Sequence, residues 1–282
     1  MRTRMGRRAV SVIVMSLVAL AGGLGLAPDA DAQPTFVPAA QATIRPGVQV
    51  VTGNGQCTAN YVYHRAGELY LGMAAHCAGL GEQTDTNGCA TESRPLGTPV
   101  TIAGAEHRGT LAYSSWAAME ANGERDPLAC AHNDFALIRI DPRDHDRVNP
   151  TVPHWGGPVG VASPTAPALN GYRAYGNSSL RQGLTLLSPM WGFAAGNHTA
   201  GGWLRQAITL LPGVPGDSGM GLQTYDGLAA GVLSSISIFP DTGLLNFTDV
   251  AMAMRYARAT GMPDLKLATG DPINANQLPL GL

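Results

Sequence analysis

From Val48 to Ile140 the chain alternates short apolar runs with clusters of turn residues: "VQVV" precedes "TGNGQ", "NYVYH" precedes "RAGE", and "LYLGMAAH", "TPVTIAG", "GTLAYSS" and "FALIRI" follow in the same rhythm. Short runs rich in β-branched and aromatic residues, bounded by Gly, Asn or Ser, read as strands. Between Asp141 and Asn170 the pattern lapses into a Pro- and Gly-rich stretch, expected to pass over the surface as a linker. A second series then begins, with "GYRAYG", "TLLSPMWGFAAG", "WLRQAITLL", "LAAGVLSSISIF" and "LLNFTDV". The organisation predicted is a β unit over 47–145, a linker over 146–170 and a second β unit over 171–262. One helix is predicted, within the second unit: Asp249 caps "VAMAMRYARAT", Val250, Ala253, Met254 and Ala257 share a face, and Gly261 with Pro263 ends it. That helix is expected to pack on the second unit. Residues 263–282 have no periodicity and read as a loosely held tail.

The first 32 residues change the picture of where the protein works. Arg2, Arg4, Arg7 and Arg8 lead into the apolar run Ala9 to Leu26, and Ala30-Asp31-Ala32 follows, the pattern of an export signal. The expectation is a secreted protein with no membrane association once the signal is removed, and with 33–46 as a leader or short pro-segment. Without the signal the chain carries 14 basic and 18 acidic groups, a net charge near -4, which excludes the basic footprint of a nucleic-acid binder. The 36 glycines and 20 prolines suit many short strands joined by tight turns. Cys57, Cys77, Cys89 and Cys130 form an even set, which in an exported chain points to disulfides whose connectivity the count leaves open. None of them has the short C-x-x-C spacing of a zinc site.

Chemistry enters with "PGDSGMG", Pro215 to Gly221, which places Ser218 between glycines behind Asp217. A serine hydroxyl becomes nucleophilic when a base takes its proton, and that base works best when a buried carboxylate holds its tautomer. Two residues occupy suitable settings. His76 ends an apolar strand in "GMAAHCAG", and Asp134 opens a strongly apolar one in "HNDFALIRI". In order, "AAHC", "NDFALI" and "GDSG" resemble the motifs of the chymotrypsin/trypsin-like serine endopeptidases, especially the compact secreted bacterial members, over roughly Gln49 to Ala259.

The resemblance implies an all-β fold of two six-stranded antiparallel β-barrels with the active site in the cleft between them and a C-terminal helix. It implies His76 as general base, Asp134 as its orienting carboxylate, Ser218 as nucleophile, and the N–H groups of Gly216 and Ser218 as the oxyanion hole. By the same resemblance Cys77 pairs with Cys57 across a hairpin, which gives the pairing Cys57–Cys77 with Cys89–Cys130. Ser234 in "GVLSSI" is placed beside Asp134 as a hydrogen-bond donor, and Ser235, Ile236 and Pro212 at the substrate cleft. A monomer acting on protein or peptide substrates, with no cofactor and no metal, is the expected form.

Three departures from the family pattern stand out. Met220 replaces the glycine that usually ends the serine motif, and its side chain is expected to point into the second barrel. Arg45 is followed by Pro46 and no Ile-Val-Gly-Gly start exists, so Asp217 needs a partner other than a freed amino terminus, and the sequence does not identify one. No acid occurs in "TLLPGVPG", and Ile236 stands where a glycine often lines the pocket, which together favour small or medium apolar side chains over Arg or Lys. An α/β-hydrolase is excluded because the G-x-S-x-G window fails at Met220. The rival reading is a secreted binding protein on the same fold with a closed or misaligned site.

Overall fold

The computed structural model describes residues 33–82, 85–164, 171–195, 200–237 and 243–277. The export signal read from the sequence lies outside the described residues. The first series of apolar runs forms β1 (Gln49–Thr52), β2 (Gly55–Thr58), β3 (Val62–Arg65), β4 (Glu68–Met73), β5 (Pro99–Ile102), β6 (Gly109–Ser114) and β7 (Ala136–Arg139). Alternation decides which side chains turn inward: β5 buries Val100 and Ile102 and exposes the residues between. Neighbouring strands run antiparallel in the order β3-β4-β7-β6-β5-β1-β2. β2 and β3 are halves of one bent segment, because Ala59 N donates to Val48 O and Asn60 N to Gly72 O. That segment pairs with β1 at its start and β4 at its end, which closes a six-stranded barrel.

The second series forms β8 (Gly160–Val161), β9 (Tyr172–Tyr175), β10 (Pro189–Ala194), β11 (Leu204–Thr209), β12 (Gly221–Thr224), β13 (Leu228–Ile236) and β14 (Leu244–Asp249). The order β12-β9-β10-β11-β14-β13 closes on itself through the β12–β13 pairing, giving a second six-stranded barrel, and β8 adds a short parallel edge to β13. Its core is built from Tyr172, Ala174, Met190, Met220, Leu222, Leu233, Leu245 and Phe247. The side chain of Met220 is fully buried there, on the barrel side of the serine motif as expected.

The structure corrects or extends four sequence expectations. First, the described residues hold two further α-helices, α1 (Ser115–Asn122) and α2 (Pro127–His132). They are too short for periodicity to reveal, but their ends carry readable signals. Ser114 accepts a hydrogen bond from Ala117 N, Asp126 accepts one from Leu128 N, and Gly123 ends α1 in the left-handed conformation.

Second, the Pro- and Gly-rich stretch is not a surface linker throughout. Val148, Val152 and Trp155 are buried in the first core, and Trp155 Nε1 donates to Ala174 O in β9 at 2.7 Å. Third, the closing helix α3 (Val250–Ala259) is capped by Asp249, whose side chain accepts from Met252 N, and buries the predicted face. That face packs on β13 and β14 of the second barrel as expected, and together with Ala229 and Val232 of β13 it also joins the core of the first barrel.

Fourth, the tail is held as far as its described residues run. β15 (Lys266–Leu267) pairs with β3, and Leu265 and Ala268 are fully buried. The β3 edge has unpaired backbone groups to offer, so a strand of two residues suffices without any pattern in the sequence.

Disulfides join Cys57 to Cys77 and Cys89 to Cys130, closing loops of 20 and 41 residues in sequence separation. Replacing Cys57 and Cys77 together by alanine is expected to cost about 3 kcal/mol through the larger entropy of the unfolded chain. In a chain of this size that lowers the thermal midpoint by about 6 to 12 °C, which calorimetry under non-reducing conditions measures.

Candidate active site

His76 lies just past the end of β4, in a short helical turn whose residues are all buried, and the Cys57–Cys77 bridge fixes its neighbour. Asp134 lies between α2 and β7 and is fully buried. A carboxylate removed from water needs donors on its oxygens. Asp134 Oδ1 accepts from the His76 backbone N–H at 2.8 Å, and Oδ2 is 2.6 Å from His76 Nδ1. The same Oδ2 accepts from Ser234 Oγ at 2.6 Å.

Burial drives the His76 imidazolium pKa down, but the charge and hydrogen bond of Asp134 outweigh it, so the net shift is upward from the usual value. Because Asp134 holds Nδ1, the other ring nitrogen is left to exchange a proton.

Ser234 reaches Asp134 because β13 bulges there. Leu233 pairs with Phe247 and Ser235 with Asn246, which leaves Ser234 as the extra residue of the strand. A bulge re-aims a side chain in this way. Thr248 of β14 adds a second tie from the other barrel: its hydroxyl donates to His132 O at 2.6 Å and accepts from Asp134 N at 3.1 Å. Sequence reasoning missed Thr248, since nothing in "NFTDV" marks one threonine above another.

Ser218 is half-buried on the loop that enters β12. Its carbonyl accepts from Thr58 N at 2.9 Å, and Thr58 follows Cys57, which is bonded to the neighbour of His76. Gly219 N donates to Leu233 O at 2.7 Å, one residue before Ser234. The serine loop is thereby tied to both the histidine side and the Ser234 side of the arrangement.

Gly219 has φ +86°, and a Cβ there would lie 2.6 Å from Thr58 O and 2.9 Å from Ala74 N, both backbone atoms that cannot yield. Gly216 has φ +96° and would meet Gln56 and Ser178. Only glycine fits both bends. The N–H groups of Gly216 and Ser218 donate to no other group among the described residues. Side-chain hydrogen bonds of His76 run to Asp134 alone among the described residues, so no hydrogen bond joins the imidazole to Ser218 Oγ.

Asp217 has the partner that the sequence left unnamed. Arg181, in the loop between β9 and β10, places Nη2 at 2.5 Å from Asp217 Oδ2, with both groups buried. Ser178 N and Val214 N donate to the two oxygens at 3.1 Å each, and Ser178 Oγ donates to Pro215 O. Arg181 lies in "SSLRQG", where no motif flags it.

At the expected cleft, Ser235 Oγ accepts from Asn246, and Ile236 lies over the segment after Pro212, close enough that a Cβ on Gly213 would meet its Cδ1 at 3.3 Å. Pro212 itself is exposed, and its carbonyl faces Arg181.

Among the described residues, two clusters have the residue types of a metal site. Cys57, His76 and Cys77 cannot ligate while the cysteines are bonded to each other. In the second, Glu106, His107 and Asp144, the Arg147 guanidinium already faces both acids.

No protein-family model matches the chain, and no curated protein does. Solved structures do match. Thermobifida fusca Protease A aligns at TM-score 0.49 and 17% identity, covering 81% of this chain and 100% of that one. Nocardiopsis protease aligns at 0.46 and 19%, covering 80% and 99%. Cellulomonas bogoriensis chymotrypsin aligns at 0.45 and 17%, covering 79% and 97%. The two closed barrels here have the chymotrypsin-like fold on their own topology.

Replacing Arg181 by methionine leaves the Asp217 carboxylate buried and unpaired, at an expected cost of roughly 3–5 kcal/mol. The double variant Arg181→Met/Asp217→Asn is expected to recover most of it, as read by urea unfolding. Equal stability of the single variant and the native chain contradicts the ion pair's role.

Proposed function

We propose that the protein is a secreted serine endopeptidase. The observation that carries this reading is the hydrogen-bonded chain Ser234–Asp134–His76, whose members come from both barrels, with the glycine-flanked Ser218 loop tied to each end. His76 takes the proton of Ser218 as the hydroxyl attacks the scissile carbonyl, then gives it to the leaving amine. Asp134 holds the tautomer and stabilises the imidazolium, and the free N–H groups of Gly216 and Ser218 receive the oxyanion. Water then repeats the attack on the acyl-enzyme, and Ser218 is regenerated. Ile236 over Gly213 supports a shallow primary pocket that takes small or medium apolar side chains. The export pattern of the first 32 residues and the two disulfides support an extracellular site of action.

A serine-directed phosphonylating reagent is expected to leave a single adduct on Ser218 of the folded protein, detected by peptide mass mapping. Digestion of a peptide library by the native chain and by Ser218→Ala is the companion measurement. Equal and negligible turnover by the two identifies a binding protein built on this fold instead.

The raised pKa of His76 sets the pH dependence. The base must be neutral, so kcat/KM is expected to fall as pH drops through a value above that of a free imidazole. The same shift contributes stability with the opposite sign, fully present below the unfolded-state pKa and lost as pH rises through the folded one. In Asp134→Asn the acid limb moves to lower pH and the rate falls about 10⁴-fold; an acid limb that stays in place contradicts the assignment of Asp134.

A further inference from the structure

Three arginines are buried among the described residues, and two of them face a carboxylate: Arg181 pairs with Asp217 and Arg205 with Asp249. Arg173 does not. It lies on β9 in register with Trp191 of β10 and Gln223 of β12, so the three side chains leave the barrel on its outer face, opposite the interior row Met190, Ala174 and Leu222. Although outward-facing, Arg173 is only 1% exposed. Its guanidinium carbon stands 4.3 Å from the centroid of Tyr225 and 5.2 Å from that of Trp155. Among the described residues Nε and Nη1 have no hydrogen-bond partner and no acid pairs with the group.

Ring faces attract a cation but accept no in-plane hydrogen bond, so Nε and Nη1 remain unanswered. The guanidinium lines a cavity of about 400 Å³, whose walls are Trp155, Trp191, Tyr225 and the segment Ala275 to Gln277. The cavity lies away from the candidate active site, since Ser218 precedes β12 and Tyr225 follows it at the opposite end.

We infer that this cavity is a binding site for a carboxylate carried on a flat apolar body. A guanidinium with donors left over matches a carboxylate, whose oxygens accept charge-assisted hydrogen bonds from it. One positive charge among aromatic walls is balanced by a monoanion, whereas a phosphate dianion would leave excess charge in an apolar setting. Trp191 and the 39% exposed Tyr225 supply the faces against which the body stacks. Two sources carry this chemistry: a small aromatic acid, and the free carboxyl end of a peptide with an aromatic last residue. The inference does not depend on whether Ser218 is a nucleophile.

Tryptophan fluorescence of the full chain, titrated with 3-phenylpropionate and with its neutral amide, reads the site, because Trp155 and Trp191 line it. Saturable binding of the acid is expected, with the amide about tenfold weaker or more, the loss that follows from removing a hydrogen bond between charged groups. Ala-Ala-Phe with a free and with an amidated carboxyl end distinguishes the sources: tighter binding of the free peptide than of 3-phenylpropionate assigns the peptide end, and the reverse assigns the small acid. Arg173→Met is expected to abolish the preference for acid over amide, and Tyr225→Ala, at a partly exposed ring, to weaken the acid severalfold with an unchanged circular dichroism spectrum.

Equal affinity for acid and amide, or no binding of either, overturns the inference and leaves Arg173 as a cation satisfied by stacking. Should Arg173→Met not fold, unchanged affinity of Tyr225→Ala for the acid overturns it equally.

Discussion

The Asp134 carboxylate is the constraint around which the structure is organised. A charge fully withdrawn from water is tolerated only when donors surround it, and those donors come from separate parts of the chain: the backbone and ring of His76 in the first barrel, and the hydroxyl of Ser234 in the second. Satisfying one acid therefore fixes the two barrels against each other. Thr248 works to the same end on the backbone around Asp134. The bulge in β13 is the local distortion that makes this possible, because a regular strand would turn Ser234 to the other face of the sheet.

A second buried acid disciplines the serine loop. Asp217 accepts from Arg181, Ser178 N and Val214 N, and Gly216 and Gly219 on either side hold left-handed conformations closed to any other residue. Asp217 pulls the loop inward while the glycines turn its backbone, and Met220 completes the anchor by entering the second core. The Met220 side chain adds apolar contact behind the serine, inside the second barrel. Arg181 and Asp217 thus place the loop, Thr58 and Leu233 stitch it to the neighbouring segments, and the reactive-looking hydroxyl is the one side chain of the motif left half-buried.

The strands were legible because alternation and turn chemistry act within a few residues, and each predicted run contains a strand or most of one. The short helices α1 and α2 escaped notice for want of length, although Ser114, Gly123 and Asp126 mark their ends. Misreading Trp155 and its neighbours as surface had a different cause. Proline and glycine report local backbone geometry, and say nothing of whether a tryptophan two residues away finds a cavity between sheets to fill. The helix α3 shows the same limit: its apolar face was plain in the sequence, but which core receives that face depends on how the chain returns from β14.

By itself the sequence determined the β units, the helix with its cap, and the three motifs carrying His76, Asp134 and Ser218, because each is written in neighbouring residues. Only the tertiary structure decided what each of those residues touches. Arg181 for Asp217, the tie of Thr248 to Asp134, the return of Lys266 and Leu267 to β3, and the unanswered guanidinium of Arg173 all join positions far apart in the chain. Long-range partners of this kind are selected by the closure of the barrels, which brings together side chains with complementary charge and unfilled hydrogen bonds. No local pattern encodes that meeting.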